Sequence, residues 1–180
     1  MNWWFTADTH FGHKNIIEHS KRPFSSVEEM DETLIKNWNA VVKKGDFVYH
    51  LGDFSWNKPD DGIKYLNRLA GTVCLIRGNH EPIAKCQKLQ KKFHWIKDLH
   101  MIQIKGQEIV LCHYAMQTWN KKYQGSWHLF GHSHGKIPTD DSFRMDVGVD
   151  CHNYEPISFD FISSIMSQKR GIYDDHQTFE

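Results

Sequence analysis

TVCLIRGNH, Thr72 to His80, is the stretch on which the reading of this chain turns: a short apolar run, Thr72 to Ile76, breaks off at Arg77-Gly78-Asn79-His80. An apolar run of this length, stopped by a polar turn that contains glycine, reads as a buried strand. The same pattern recurs on both sides. Asn2 to Ala7 runs into Asp8-Thr9-His10, Asp46 to Leu51 into Gly52-Asp53, and Trp127 to Phe130 into Gly131-His132-Ser133-His134-Gly135. His100 to Ile104 and Glu108 to His113 flank Lys105-Gly106-Gln107, a hairpin pattern with Gly106 in the turn, and the second arm delivers His113.

Between these runs the period changes to that of helices. Ser25-Ser26 opens a Ser-x-x-Glu capping box, and Val27, Met30, Leu34, Ile35, Trp38, Val41 and Val42 follow in helical spacing until Gly45 closes the segment. Pro59 to Leu69, the residues after Glu81-Pro82 through Lys92, and Pro156 to Met166 are expected helices, and Phe143 to Val149 a late strand. Strands alternating with helices, then a strand-rich second half, predict an α/β layered fold whose polar clusters share the rim at the strands' carboxyl ends, where open sheets place ligands.

At 180 residues and 39% hydrophobic content the chain supports one core, so residues 1–180 are expected to form a single domain, with a polar tail from about 167 to 180 that frays. Lys plus Arg and Asp plus Glu both number 22, which removes any net field favouring nucleic acid or membrane. The opening MNWWFTADTHFGH reaches Asp8 with no long apolar run, so a cytoplasmic address is expected. Cys74, Cys86, Cys112 and Cys151 lack Cys-x-x-Cys spacing and read as small core residues. The 13 histidines are the unusual entry, because several stand beside Asp, Asn or Gly rather than on apolar faces. Carboxylate, imidazole and amide donors without thiolate suit Mn²⁺, Fe, Zn²⁺, Ni²⁺ or Co²⁺.

Taken in order, Asp8-x-His10, Gly52-Asp53, Gly78-Asn79-His80 followed by the acid Glu81, the lone His113, and Gly131-His132-x-His134 resemble the signature of the calcineurin-like metallophosphoesterase family, in particular its small bacterial and phage members. The resemblance implies a four-layer sandwich of two mixed β-sheets flanked by helices. It implies two divalent transition-metal ions, manganese first among them: Asp8, His10 and His134 on one, Asn79, His113 and His132 on the other, Asp53 between. His80 would contact substrate, as proton donor to the leaving oxygen or as a positive contact to phosphate, with Asn79 beside it. The implied reaction is hydrolysis of a phosphate mono- or diester by a metal-activated hydroxide. A small-molecule or nucleotide phosphoester is the expected substrate. A nuclease, or an interaction module on the same fold as in the retromer subunit, are the alternatives; intact ligands and neutral charge weigh against both.

The chain departs from the phosphoprotein phosphatases, whose Gly-Asp-x-x-Asp-Arg supplies an acid that orients the catalytic histidine and an arginine for phosphate; here Trp56 and Asn57 take those places. Trp56 is expected to pack at the core or rim, or to stack on a base or aromatic leaving group. His13 and Asn15 line the pocket, cap a helix or lie at the surface, Arg77 joins a structural ion pair rather than binding phosphate, and Asp146 and Asp150 support the site from behind. His19, His50, His94, His100, His128, His152 and His176 are expected to be structural or solvent-facing. Trp3, Trp4, Trp38, Trp95, Trp119 and Trp127 are expected in the core, and Lys88, Lys91 and Lys92 on a solvated helix face.

Overall fold

A computed structural model describes residues 1–56, 58–80, 86–138 and 140–171. Among them the chain forms two sheets. The first carries β1 (Trp3–Thr6), β2 (Phe47–His50), β3 (Thr72–Ile76), β4 (Ile96–Lys97) and β9 (Ile157–Ser158), in the order β4-β3-β2-β1-β9. Its first four strands are parallel and β9 runs antiparallel to β1. The second sheet has the order β5-β6-β7-β8, from β5 (Leu99–Ile104), β6 (Gln107–Cys112), β7 (Trp127–Phe130) and β8 (Arg144–Asp146). There β5 and β6 are antiparallel, and the two remaining pairings are parallel. The two mixed sheets of an α/β fold are as the sequence predicts.

Side-chain alternation explains the layers. On one face of the first sheet, Trp4, Val48, Val73 and Leu75 meet Met30, Leu34, Ile35 and Trp38 of α2 (Val27–Val41) and Leu66 of α3 (Pro59–Leu66). On the other, Phe5, Tyr49 and Ile76 meet Ile109, Leu111 and Leu129 of the second sheet. Phe159, Ile162 and Met166 of α5 (Phe159–Met166) join that inter-sheet core. Each fully buried side chain of this kind contributes about 1.5–3 kcal/mol.

Local signals hold where they were read. Ser26 caps α2 by accepting from the Glu29 N–H (3.1 Å), and Glu29 reaches back to the Ser25 N–H (2.8 Å), a capping box. Lys105 and Gly106 both take positive φ (50° and 85°), which closes the β5–β6 hairpin with Ile104 opposite Gln107.

Several expectations need correction. The predicted late strand Phe143 to Val149 is only Arg144–Asp146, because the Asp146 carboxylate accepts from the Gly148 N–H (2.8 Å) and turns the chain. The helix predicted from Pro156 begins at Phe159, since Ile157 and Ser158 pair with β1 and Ser158 then caps the helix. The helix after Pro82 is described only as α4 (Gln87–Gln90), with Lys88, Lys91 and Lys92 exposed as expected. A short helix, α1 (Lys14–His19), was not foreseen. Of the cysteines only Cys74 is buried, and Cys151 is exposed. Trp38, Trp119 and Trp127 are buried, while Trp3, Trp4 and Trp95 are half-buried. Asn57, Glu81, Pro82, His176 and the tail beyond Gly171 lie outside the described residues. No helix among the described residues is long and apolar enough to cross a membrane.

Candidate metal centre

The polar clusters meet at one rim. Backbone hydrogen bonds lace the turns together: Asp8 N–H donates to Gly52 O (2.9 Å), His10 N–H to Asp53 O (2.9 Å), and Gly131 N–H to His113 O (3.0 Å). This bonding holds five residues in the left-handed region: Asp8 (φ 57°), His10 (50°), Asp53 (55°), His132 (66°) and His134 (48°). Such backbone costs on the order of 1–3 kcal/mol per residue and persists only where the surroundings over-determine it. Close approach is needed too. A Cβ on Gly131 would lie 2.5 Å from Ala7 Cβ and 2.7 Å from Asp8 Oδ2, and one on Gly78 would overlap Asp53 Oδ1.

The result is two groups of donor atoms, Asp8 with His10 and His134, and Asp53 with His113 and His132, each within 4.8 Å of one another and each able to hold a metal ion. Asp53 joins the groups. Its Oδ1 accepts from the His80 N–H (2.9 Å), while Oδ2 lies 3.5 Å from His10 Nε2 and 3.6 Å from His113 Nε2. Asn79 Oδ1 stands 3.0 Å from His113 Nε2. The structure thus brings together every residue the sequence assigned to metal, with His80 next to them.

Three observations test whether a cation fits. Both ring nitrogens of His10 are buried without a hydrogen-bond partner, a costly arrangement for a polar ring. His113 Nδ1 must donate to the Leu51 carbonyl (2.7 Å), which leaves Nε2 as a lone pair facing the Asn79 carbonyl oxygen, an acceptor against an acceptor. His134 Nδ1 is likewise taken by Asp150 (2.7 Å), so that Nε2 is left for the site. A cation satisfies all three. Electrostatics agree: burial, then Asp146 and Asp53, push the Asp8 carboxyl well above its ordinary range, and burial drives His10 and His113 down. Positive charge between them favours the ionised carboxylates and the neutral imidazoles that metal binding requires.

Asp150 and Asp146 do support the site. Burial alone would raise Asp150, but hydrogen bonds from His134 and Arg22 outweigh it and hold the carboxyl low. Arg22, which sequence reasoning missed, is buried; it grips Asp150 through Nε and Nη2 (both 2.8 Å) and donates to the carbonyls of Asp8 (2.7 Å) and Thr9 (3.2 Å). Asp146 accepts from the Ser133 hydroxyl and the Gly135 N–H. Thr9 bonds both His50 Nε2 (2.9 Å) and the Phe54 carbonyl (2.7 Å), so His50 is a buried structural histidine, as is His128. Arg77 pairs with Asp98 (2.7 Å), away from phosphate chemistry. His13 sits at the N-cap of α1 without making a cap hydrogen bond; its ring lies 5.3 Å from His10. With Asn15, His19 and Lys136, His13 lines a cleft of about 630 Å³ that opens from His10, Asp53, His80, His132 and His134.

Residues 1–115 match the family described as calcineurin-like phosphoesterase. The chain belongs to that family. Family membership brings phosphoester hydrolysis and divalent metal ions with it. A relative from Methanocaldococcus jannaschii, an uncharacterized protein, is 36% identical over 92% of both chains. The gene 66 protein of Mycobacterium phage L5 is 42% identical, over 44% of this chain and 40% of its own length. Among solved structures, a protein of unknown function from Aquifex aeolicus superposes with a TM-score of 0.72 at 27% identity, covering 91% of this chain and 98% of that one. The chain therefore aligns over nearly its full length with the Methanocaldococcus jannaschii relative in sequence and with the Aquifex aeolicus protein in fold.

Proposed function

We propose that this phosphoesterase cleaves a phosphate mono- or diester of a small molecule or nucleotide at a dinuclear centre. Asp8, His10 and His134 would hold one divalent transition-metal ion, Asn79, His113 and His132 the other, with Asp53 shared between the two. When bound, two such ions, manganese foremost, supply Lewis acidity towards phosphate oxygens and lower the pKa of water towards neutrality. The observation that carries the reading is Asp53 Oδ2, which lies between His10 Nε2 and His113 Nε2 with its partner oxygen already committed to the His80 amide.

The protein's own part is positional. Leu51 and Asp150 fix the tautomers of His113 and His134 and so aim both Nε2 atoms inward. Asn79 and the exposed His80 stand at the mouth. There the His80 imidazole can give a proton to the leaving oxygen, a contribution of about 10²–10⁴-fold in general-acid reactions. The cleft past His13 and Lys136 receives the leaving group, and its imidazoles and single ammonium suit a polar or anionic one.

The test uses chelator-stripped protein reloaded with Mn²⁺, Ni²⁺, Zn²⁺ or Mg²⁺ and offered p-nitrophenyl phosphate, bis-p-nitrophenyl phosphate, and cyclic and linear nucleotides. Metal-dependent turnover with about two ions per chain is the expected result. A chain that binds two ions and turns over nothing in the panel overturns the small-molecule reading, and a chain that binds none overturns the centre itself.

A further inference from the structure

One side chain at the rim has no part in the chemistry above. Trp56 is 43% exposed, contributes to neither core, and stands at the end of the Asp53 turn. Its backbone is pinned: Trp56 N–H donates to Phe11 O (3.0 Å), and Phe11 N–H to Phe54 O (3.0 Å). Its indole is in contact with two imidazoles. His13 stacks on it at 3.9 Å between centroids with 4° between planes, and His80 tilts against it at 4.8 Å and 50°. His80 has one further ring neighbour, His10 at 5.7 Å, and no hydrogen bond to its ring among the described residues. A histidine that is to act on substrate must be held in place, since misplacement by about 1 Å can cost about 10²-fold.

We infer that Trp56 is the positioning residue for His80: buttressed by His13, its ring sets the orientation of the His80 imidazole by aromatic packing, at the chain position where Gly-Asp-x-x-Asp-Arg sequences carry an acid. The inference rests on His80 acting on substrate, and goes beyond that reading by naming what aims it. Aromatic ring pairs have preferred relative orientations, which suits this tilted contact to the task. The stack on His13 occupies one contact of the indole, so Trp56 serves His80 before it serves a substrate.

Two measurements decide it. In metal-free protein, the ring ¹H–¹³C signals of His80, assigned by their loss in His80→Gln, are shifted by the indole ring current. Trp56→Leu abolishes the shift and Trp56→Phe keeps part of it. In metal-loaded protein with aryl phosphoesters of graded leaving-group pKa, Trp56→Leu loses about 10- to 100-fold in kcat on the poorest leaving groups and little on the best, with KM and metal content unchanged. Trp56→Phe recovers most of the rate, and Trp56→Leu adds nothing in a His80→Ala background. Unmoved His80 signals, a loss equal across leaving groups, a loss confined to KM, or full additivity with His80→Ala each overturn the assignment. If the wild-type protein hydrolyses nothing, the phosphoesterase reading fails while the ring-current result still decides whether Trp56 orients His80.

Discussion

The two donor groups that meet at Asp53, the halves of the proposed centre, are built differently. Asp8 and His10 are almost wholly buried, and His134 is backed by Asp150, which is itself clasped by buried Arg22. On the other half only His113 is buried; His132 and Asn79 are exposed, and His113 is backed by a neutral carbonyl, that of Leu51. The first half is a closed socket with a charged buttress behind it. The second is an open face, where exchange and substrate access are to be expected. Preorganisation is concentrated where solvent cannot reach, and accessibility where the ester must arrive.

The largest effect should come from the residue common to both halves. Asp53→Asn removes the bridging charge and should cut turnover by about 10³-fold or more, roughly 4 kcal/mol of barrier, with elemental analysis showing loss of at least one ion. Near wild-type rates in that variant would sink the two-ion mechanism. Next in size is Asp150→Ala, expected to weaken metal affinity by about 10–100-fold at the closed half alone. Calorimetric titration should then show one site shifted and one preserved; equal weakening of both would erase the distinction drawn here. His132→Ala should show the reverse pattern.

The last contrast is in stability against pH, outside the chemistry of the centre. His50, which backs the closed half through Thr9, and His128, which holds the chain beyond His113 by accepting from the Met116 N–H, are both kept neutral by burial, lowered to about 3 and about 4 respectively. The unfolded chain takes up protons below about pH 6.5 that these folded sites refuse, so stability present above that pH is lost as pH falls, at up to about 1.4 kcal/mol per unit for each histidine. Urea unfolding of metal-free protein between pH 7 and 4.5 should show that slope, and His128→Gln should make it shallower. Hydrogen exchange on acidification should loosen the Met116 amide before the backbone around Thr9. The opposite order would contradict the contrast between the halves.

Much of this was legible in the chain. Parallel strands of a covered sheet announce themselves as apolar runs, and glycine beside Asp53, Asn79 and His132 marks where backbone and ligand must crowd together. The candidate donors could be read because they are local to those turns. What escaped was either too short to carry a period or fixed from far away. β4 and β9 have two residues each, and α1 buries only Ile16. Arg22, in the polar run Ser20-Lys21-Arg22-Pro23, resembles any solvated arginine. Its partners, Asp150 and the Asp8 and Thr9 carbonyls, make it structural. Trp56 reads in the sequence as packing or substrate stacking, because its neighbours, His13 and His80, come from two other turns.

The Arg22–Asp150 clasp joins residues 128 positions apart. Chains emerge from the ribosome at about 5–20 residues per second, so Arg22 precedes its partner Asp150 by roughly 6 to 26 s. Through that interval the guanidinium beneath the Asp8 and Thr9 carbonyls lacks the Asp150 carboxylate, and for most of it His134 has yet to be made. The closed half of the centre is therefore assembled last although its first ligand is made almost at once, and a nascent chain ending short of Asp150 lacks the counter-charge that locks it.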